Sequence, residues 1–326
     1  MRIAIVGAGA VGCLVAARIP PTGHLVTLIA RRTAAVIAIR DAGIQMTSPE
    51  GLTTRHPVAI TDDPLSIGRQ DLVILCVKAY SLRAVLGMLA PLIGRQTAIV
   101  PVVSGIPWWY PHGQSGPLAG CQLRSLDEDG SLAAIPLDRV VGSLTDVTVE
   151  TLGVGRIRHV AGGQFMFGDP TALAAPTAQD IAALFRTAGL DGVAVADIRP
   201  HIWTRLAGDV AFDPLSVLTG ANLTSICADL GSRAVVRRLM EEAAAVAEHL
   251  GAALVQPIDD RIAAAAAAGD VKTSMLRDYL AGKQLELDAV LGSVIELAGL
   301  VNVDVPMLRT IYALATLRVQ SRHDET

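Results

Sequence analysis

An apolar run, Arg2 to Val6, passes straight into Gly7-Ala8-Gly9-Ala10-Val11-Gly12, and the residues from Ala10 to Ile19 have helical composition. This G-x-G-x-x-G pattern therefore lies at a strand-to-helix turn, the context in which it carries chemical meaning. Gly7 permits the tight turn, Gly9 lets a backbone come close to a pyrophosphate, and Gly12 allows the helix to pack against the strand. Peptide N–H groups at the helix start would face the phosphates. The alternative is a βα turn that is merely tight.

Strand-like and helical runs alternate beyond this point. His24 to Ile29 and Asp71 to Val77 read as strands, Thr33 to Ala42 and Ser81 to Leu89 as helices, which implies a parallel, doubly wound α/β sheet. Short β-like runs follow (98–103, 139–149, 155–160, 164–167), with turn signals at Asp129-Gly130 and Gly162-Gly163, and they read as an extension of that sheet. After Pro200 helical periodicity takes over in 202–218, 231–250, 258–268, 285–300 and 306–319. The expected organisation is a Rossmann-type domain over residues 1–198 and an all-helical domain over residues 199–326.

The 326 residues suffice for two cores, and 51% hydrophobic against 18% charged residues excludes a disordered chain. No uninterrupted apolar stretch is long enough for a spanning helix, so no membrane partner is expected. A net charge of −4 with scattered Lys and Arg gives no footprint for nucleic acid. Cys13, Cys76, Cys121 and Cys227 lie far apart and the seven histidines form no ligand spacing, so neither a disulfide framework nor a metal site is expected. A reducing cytoplasm fits, and the chain reads as mature from Met1.

About twenty residues past the glycines, where an NAD site would place Asp or Glu, stands Ile29-Ala30-Arg31-Arg32. Arginine there favours a 2′-phosphate, hence NADPH; a solvated basic pair opening the next helix is the alternative.

Several further motifs occur in order: residues 71–80 (DLVILCVKAY), Gly105-Ile106-Pro107-Trp108-Trp109-Tyr110, Trp203-Thr204-Arg205-Leu206, Asp213-Pro214-Leu215, residues 273–278 (TSMLRD) and Leu285-Glu286-Leu287-Asp288. On these, the chain resembles the ketopantoate reductase (2-dehydropantoate 2-reductase) family over essentially its whole length. The resemblance implies a Rossmann domain joined to a helical domain like that of 6-phosphogluconate dehydrogenase, and a place in pantothenate biosynthesis. It implies that Lys78 lines the nicotinamide side, with Ser104 in the cofactor loop. It also implies that Ser274 binds the substrate carboxylate and that Glu286 orients the substrate hydroxyl and the catalytic cation. Taken alone, Lys78 reads equally as a strand-end charge, Ser274 as a helix cap and Glu286 as a solvated carboxylate.

The chain also departs from the family's pattern. Arg205 occupies the place of the catalytic Lys, Asp209 and Asp213 those of two substrate-contacting Asn residues, and Ser104 that of the Asn preceding Gly105. A guanidinium stabilises charge but donates a proton reluctantly. Residues 205, 209 and 213 share one helix face, so Arg205 can pair with Asp209. With Glu286 they sum to −2 if all ionise, against zero for the family's Lys, Asn, Asn and Glu. Asn222 is a further polar candidate for substrate binding. Trp108, Trp109 and Tyr110 either wall a cleft or plug a core.

The expectation is an NADPH-dependent, cytoplasmic reductase, a homodimer through its helical domain, acting on a small 2-oxo acid with ketopantoate as nominal substrate. The alternatives are reduction of a neutral or cationic C=O or C=N compound such as an imine, and a non-catalytic NADPH-binding protein.

Overall fold

The computed structural model describes residues 1–171, 174 and 176–324. By its contacts the chain forms two compact units, one of residues 1–103 and 131–198, the other of residues 104–130 and 199–326.

The first unit begins with β1 (Arg2–Val6), α1 (Ala10–Arg18), β2 (Leu25–Ile29), α2 (Thr33–Ala42), β3 (Ile44–Thr47), β4 (Thr53–His56), β5 (Ala59–Thr61), β6 (Leu72–Leu75), α3 (Leu82–Leu89) and β7 (Ala98–Pro101). It continues with β8 (Gly142–Gly153), β9 (Arg156–Gly168), α4 (Ala178–Thr187) and β10 (Asp191–Ala194). Five strands form a parallel sheet in the order β5-β2-β1-β6-β7. β6 and β7 are buried along their whole length, as expected of strands covered on both faces. The strand order reverses between β1 and β6, the switch point beyond whose carboxyl ends an open α/β sheet binds ligands.

The run at 98–103 extends that sheet as β7, but the β-like runs after it do not. Val140 makes one bridge to Ile99 of β7, and Ser143 Oγ donates to the Pro101 carbonyl at 2.7 Å. From there β8 leaves to pair antiparallel with β9, in a second sheet ordered β10-β9-β3-β4. The reason lies in α1, whose residues from Gly12 to Ala17 are all buried and which packs against strands of both sheets. A helix apolar all round needs a second cover. Gly162-Gly163 is not a turn but part of β9, at a register shift opposite Asp146 and Val147; the turn is at Gly153–Gly155. Phe165 and Phe167 of β9 close the core against Phe185 of α4, with ring centroids 4.8 and 4.9 Å apart.

The second unit contains α5 (Arg199–Thr219), α6 (Leu223–Ala228), α7 (Leu230–His249), α8 (Ile258–Ala266), α9 (Ser274–Leu280), a π-helical turn (Asp288–Gly292), α10 (Ser293–Leu300) and α11 (Pro306–Asp324). α5 is its axis, packing against α7, α9 and α11. Buried Glu242 of α7 accepts the Met307 and Leu308 N–H groups at 3.1 and 2.9 Å, capping α11 from another helix.

The contact-based division differs from a single cut at 198/199 in residues 104–130, which pack with the helices. Three interactions hold them. Glu296 of α10 accepts the Arg124 and Ser125 N–H groups at 2.8 and 2.9 Å and the Ser125 hydroxyl at 2.6 Å. Buried Arg199 donates to the Tyr110 and His112 carbonyls and lies over the Trp109 and Tyr110 rings. Gly105, with φ +74°, approaches the Ala289 carbonyl so closely that a Cβ would overlap it.

Candidate functional site

At the carboxyl edge of the parallel sheet, Gly7 N–H donates to the Ile29 carbonyl at 2.9 Å and Cys76 N–H to the Val6 carbonyl at 2.8 Å. The ends of β1, β2 and β6 are thereby tied together around the glycine turn. Arg31 follows Ile29 by two residues and Lys78 follows Cys76 by two, so both lie on this same edge.

The three glycines differ in what excludes a side chain. A Cβ on Gly7, whose φ is +114°, would strike the Cys76 carbonyl, and one on Gly12 would strike the Gly7 carbonyl. Gly9 has an ordinary φ of −81°, and a Cβ there would meet no atom within 4 Å. Folding thus requires Gly7 and Gly12 but leaves the space at Gly9 open. Gly9 is also the N-cap of α1, no side chain caps that helix, and its first turn, Ala10, Val11 and Gly12, holds no acidic residue. An uncapped helix start with open space before it suits a diphosphate.

Arg31 is exposed just before α2. The sequence reading missed Asp62, which lies beside the start of α2 and accepts the Thr33 hydroxyl at 2.6 Å. That hydrogen bond holds its carboxyl below the usual range. Lys78 is partly buried between β6 and the short 3-10 turn at 79–81, and its carbonyl accepts Ser81 N–H at 2.8 Å.

In the helical unit, Arg205 Nε meets both Asp209 oxygens, at 2.9 and 3.2 Å. This is the i,i+4 pair that the spacing allows. One turn on, Asp213 is 9% exposed, and its carbonyl accepts the Ser216 hydroxyl at 2.7 Å. Ser216 also bonds Thr273 at 2.7 Å, and Thr273 caps α9 through Leu276 N–H. Ser274 is therefore the first helical residue rather than the cap, and it is exposed.

Glu286 is 7% exposed, which removes its reading as a solvated carboxylate. Its carbonyl accepts Val290 N–H at 3.0 Å within the π-helical turn, and the same turn receives Ile106 N–H at the Ala289 carbonyl. Ser104, exposed, precedes that contact. α5, the start of α9, the π-helical turn and the Ser104–Gly105 turn thus form one packed group.

Asn222 has a structural job. Its Oδ1 accepts Ser225 N–H at 2.8 Å as the cap of α6, and its Nδ2 donates to Asp270 at 2.6 Å. Trp109 and Tyr110 are core residues, Tyr110 Oη accepting the Trp203 indole N–H at 2.7 Å; Trp108 is partly exposed. Burial pushes the Cys13 and Cys76 thiols up to about 12 and raises Cys121 and Cys227 as well. Among the described residues no group of three His, Cys, Asp or Glu side chains could hold a metal ion, and no helix is long and apolar enough to cross a membrane.

A parallel sheet opening on this glycine turn, followed by a helical region, is a Rossmann-type fold with a helical carboxyl-terminal part. The family model for ketopantoate reductase PanE/ApbA matches residues 3–172, and its carboxyl-terminal counterpart matches residues 197–319. The chain belongs to the ketopantoate reductase family. A 2-dehydropantoate 2-reductase of Mesorhizobium japonicum is 38% identical over 315 residues, 96% of each chain. Among solved structures, a candidate ketopantoate reductase from Ralstonia solanacearum is 38% identical with a TM-score of 0.91, over 99% of this chain and 98% of that one. The 2-dehydropantoate 2-reductase from Methylococcus capsulatus is 28% identical with a TM-score of 0.82, over 97% and 96%.

Proposed function

We propose that the chain is an NADPH-dependent reductase acting on the carbonyl of a small 2-oxo acid, with ketopantoate as the nominal substrate. The observation that carries this reading is the open space at Gly9, a glycine that the fold itself does not demand. The peptide N–H groups of Ala8, Ala10 and Val11 at the α1 N-terminus would hold the cofactor's diphosphate there. Arg31 meets the 2′-phosphate, while Lys78 and Ser104 serve the nicotinamide end. Bound NADPH supplies the hydride.

Ser274 binds the substrate carboxylate, and Glu286 orients the oxygen that becomes a hydroxyl. Arg205 stabilises negative charge as it develops on that oxygen, with Asp209 holding the guanidinium in place. Asp213 borders the same face. The proton that completes the alcohol comes from another group or from water, because a guanidinium does not release one readily. By this reading residues 1–198 hold the cofactor and residues 199–326 the substrate, in a cytoplasmic homodimer.

A second reading is favoured by one observation: Arg205 is already paired with Asp209, so part of its positive charge is neutralised before any substrate anion arrives. Such a site favours a neutral or cationic acceptor, such as a cyclic imine, over a 2-oxo acid anion. NADPH oxidation with a panel of 2-oxo acids and cyclic imines separates the two. Turnover of neither class, with NADPH bound, would instead support a non-catalytic NADPH-binding protein.

A further inference from the structure

At the end of the parallel sheet opposite the glycine turn lies a cavity of about 630 Å³. Its walls come from the residues just before β6 and β7 and just before β8, among them Arg69, Asp71, Arg95, Gln96, Thr97 and Arg139. β6 lies between Asp71 at this end and Cys76 and Lys78 at the other, so its length separates the cavity from the glycine turn.

The lining is polar and cationic, three arginines against one aspartate. Asp71 has a role of its own, one carboxylate oxygen accepting the Arg2 N–H at 2.7 Å. Arg139 is paired with Asp138 at 3.4 Å. Among the described residues, Arg69 and Arg95 have neither a salt bridge nor a side-chain hydrogen bond, and both are exposed. The floor is rigid. Buried Thr97 donates its hydroxyl to the Gln70 carbonyl at 2.6 Å and accepts Gly94 N–H at 2.8 Å, fixing the two loops to each other. Arg69 lies across Gly94, where a Cβ would come within 3.2 Å of its Cδ.

We propose that this cavity is a binding site for a small, multiply charged, non-aromatic anion bearing phosphate groups. The volume falls within the range of ligand pockets. Guanidinium forks match phosphate oxygens two at a time. The lining contains no aromatic ring and little apolar surface, which argues against a nucleobase or a second dinucleotide.

The test uses the full chain and inorganic pyrophosphate, titrated calorimetrically at low ionic strength against the parent, the Arg69→Gln/Arg95→Gln double variant and the Arg31→Ala variant. Because residues 69 and 95 are exposed, the double variant should keep the parent's circular dichroism and melting temperature, and Arg95→Gln alone serves as a milder second variant. The expected result is pyrophosphate binding by the parent that weakens at least tenfold in the double variant, by a smaller factor in Arg95→Gln, and little in Arg31→Ala. Citrate, run alongside, should bind more weakly than pyrophosphate. The proposal is overturned if the parent binds no pyrophosphate, if the double variant binds it as tightly as the parent, or if citrate binds as well or better.

Discussion

Arg205 holds Asp209 through both carboxylate oxygens, one helical turn away, on a face that continues to Asp213. The guanidinium is thus partly neutralised before any substrate arrives. The parent should therefore reduce ketopantoate poorly, and the triple variant Arg205→Lys, Asp209→Asn, Asp213→Asn should raise kcat/KM for it. A positioned proton donor is typically worth about 10² to 10⁴ in rate. The changes share one face, so Arg205→Lys alone should gain little while both carboxylates remain. Steady-state kinetics of the single and triple variants check this; ordinary turnover by the parent would contradict it.

Arg31→Ala should weaken NADPH binding by roughly tenfold or more and leave NADH almost unchanged, since it removes a contact to a phosphate that NADH lacks. Fluorescence titration with both nucleotides measures the difference. Equal affinities in the parent would refute the role given to Arg31.

The glycine turn allows fold and function to be separated by single methyl groups. Gly9→Ala, whose Cβ meets nothing in the protein, should keep the parent's melting temperature while losing most dinucleotide affinity. Gly12→Ala, whose Cβ overlaps the Gly7 carbonyl, should destabilise the chain by about 1–3 kcal/mol. Thermal melts beside NADPH titrations distinguish the two outcomes.

None of the four thiols should matter to turnover. With Cys13 and Cys76 pushed up to about 12, only about one in ten thousand of either is thiolate at pH 8 in the native state. Their reaction with a thiol reagent should speed up about tenfold per pH unit over the accessible range. Partly exposed Cys121 should react first. Loss of turnover on blocking, with the fold intact, would overturn this.

Glu242→Ala should cost about 1.5–3 kcal/mol for each charge-assisted bond lost to the Met307 and Leu308 N–H groups, with α11 loosening first. Hydrogen exchange resolved along the chain would show whether protection falls first there.

The turn from β1 into α1 was legible because its signals are local: an apolar run, spaced glycines and a helix within a few residues of one another. The i,i+4 pairing of Arg205 with Asp209 was legible for the same reason. The second sheet was not, since β3 and β4 are four residues each and Gly162-Gly163 carries the composition of a turn while serving as an irregularity inside β9. Nor could spacing reveal that Glu296 holds a loop some 170 residues earlier, or that Glu242 caps a helix beginning at Pro306. Asn222 shows what spacing leaves out: its side chain caps α6 and binds Asp270, a partner 48 residues away.

Because residues 104–130 pack with the helices rather than with the strands on either side of them, the chain passes between the two units at 103/104, at 130/131 and again at 198/199. A ribosome releases this segment long before Arg199 and Glu296 exist to receive it. A fragment ending at residue 198 would therefore carry a 27-residue insert without the helices it packs against. Exchanging the carboxyl-terminal half between relatives would require transplanting the insert as well.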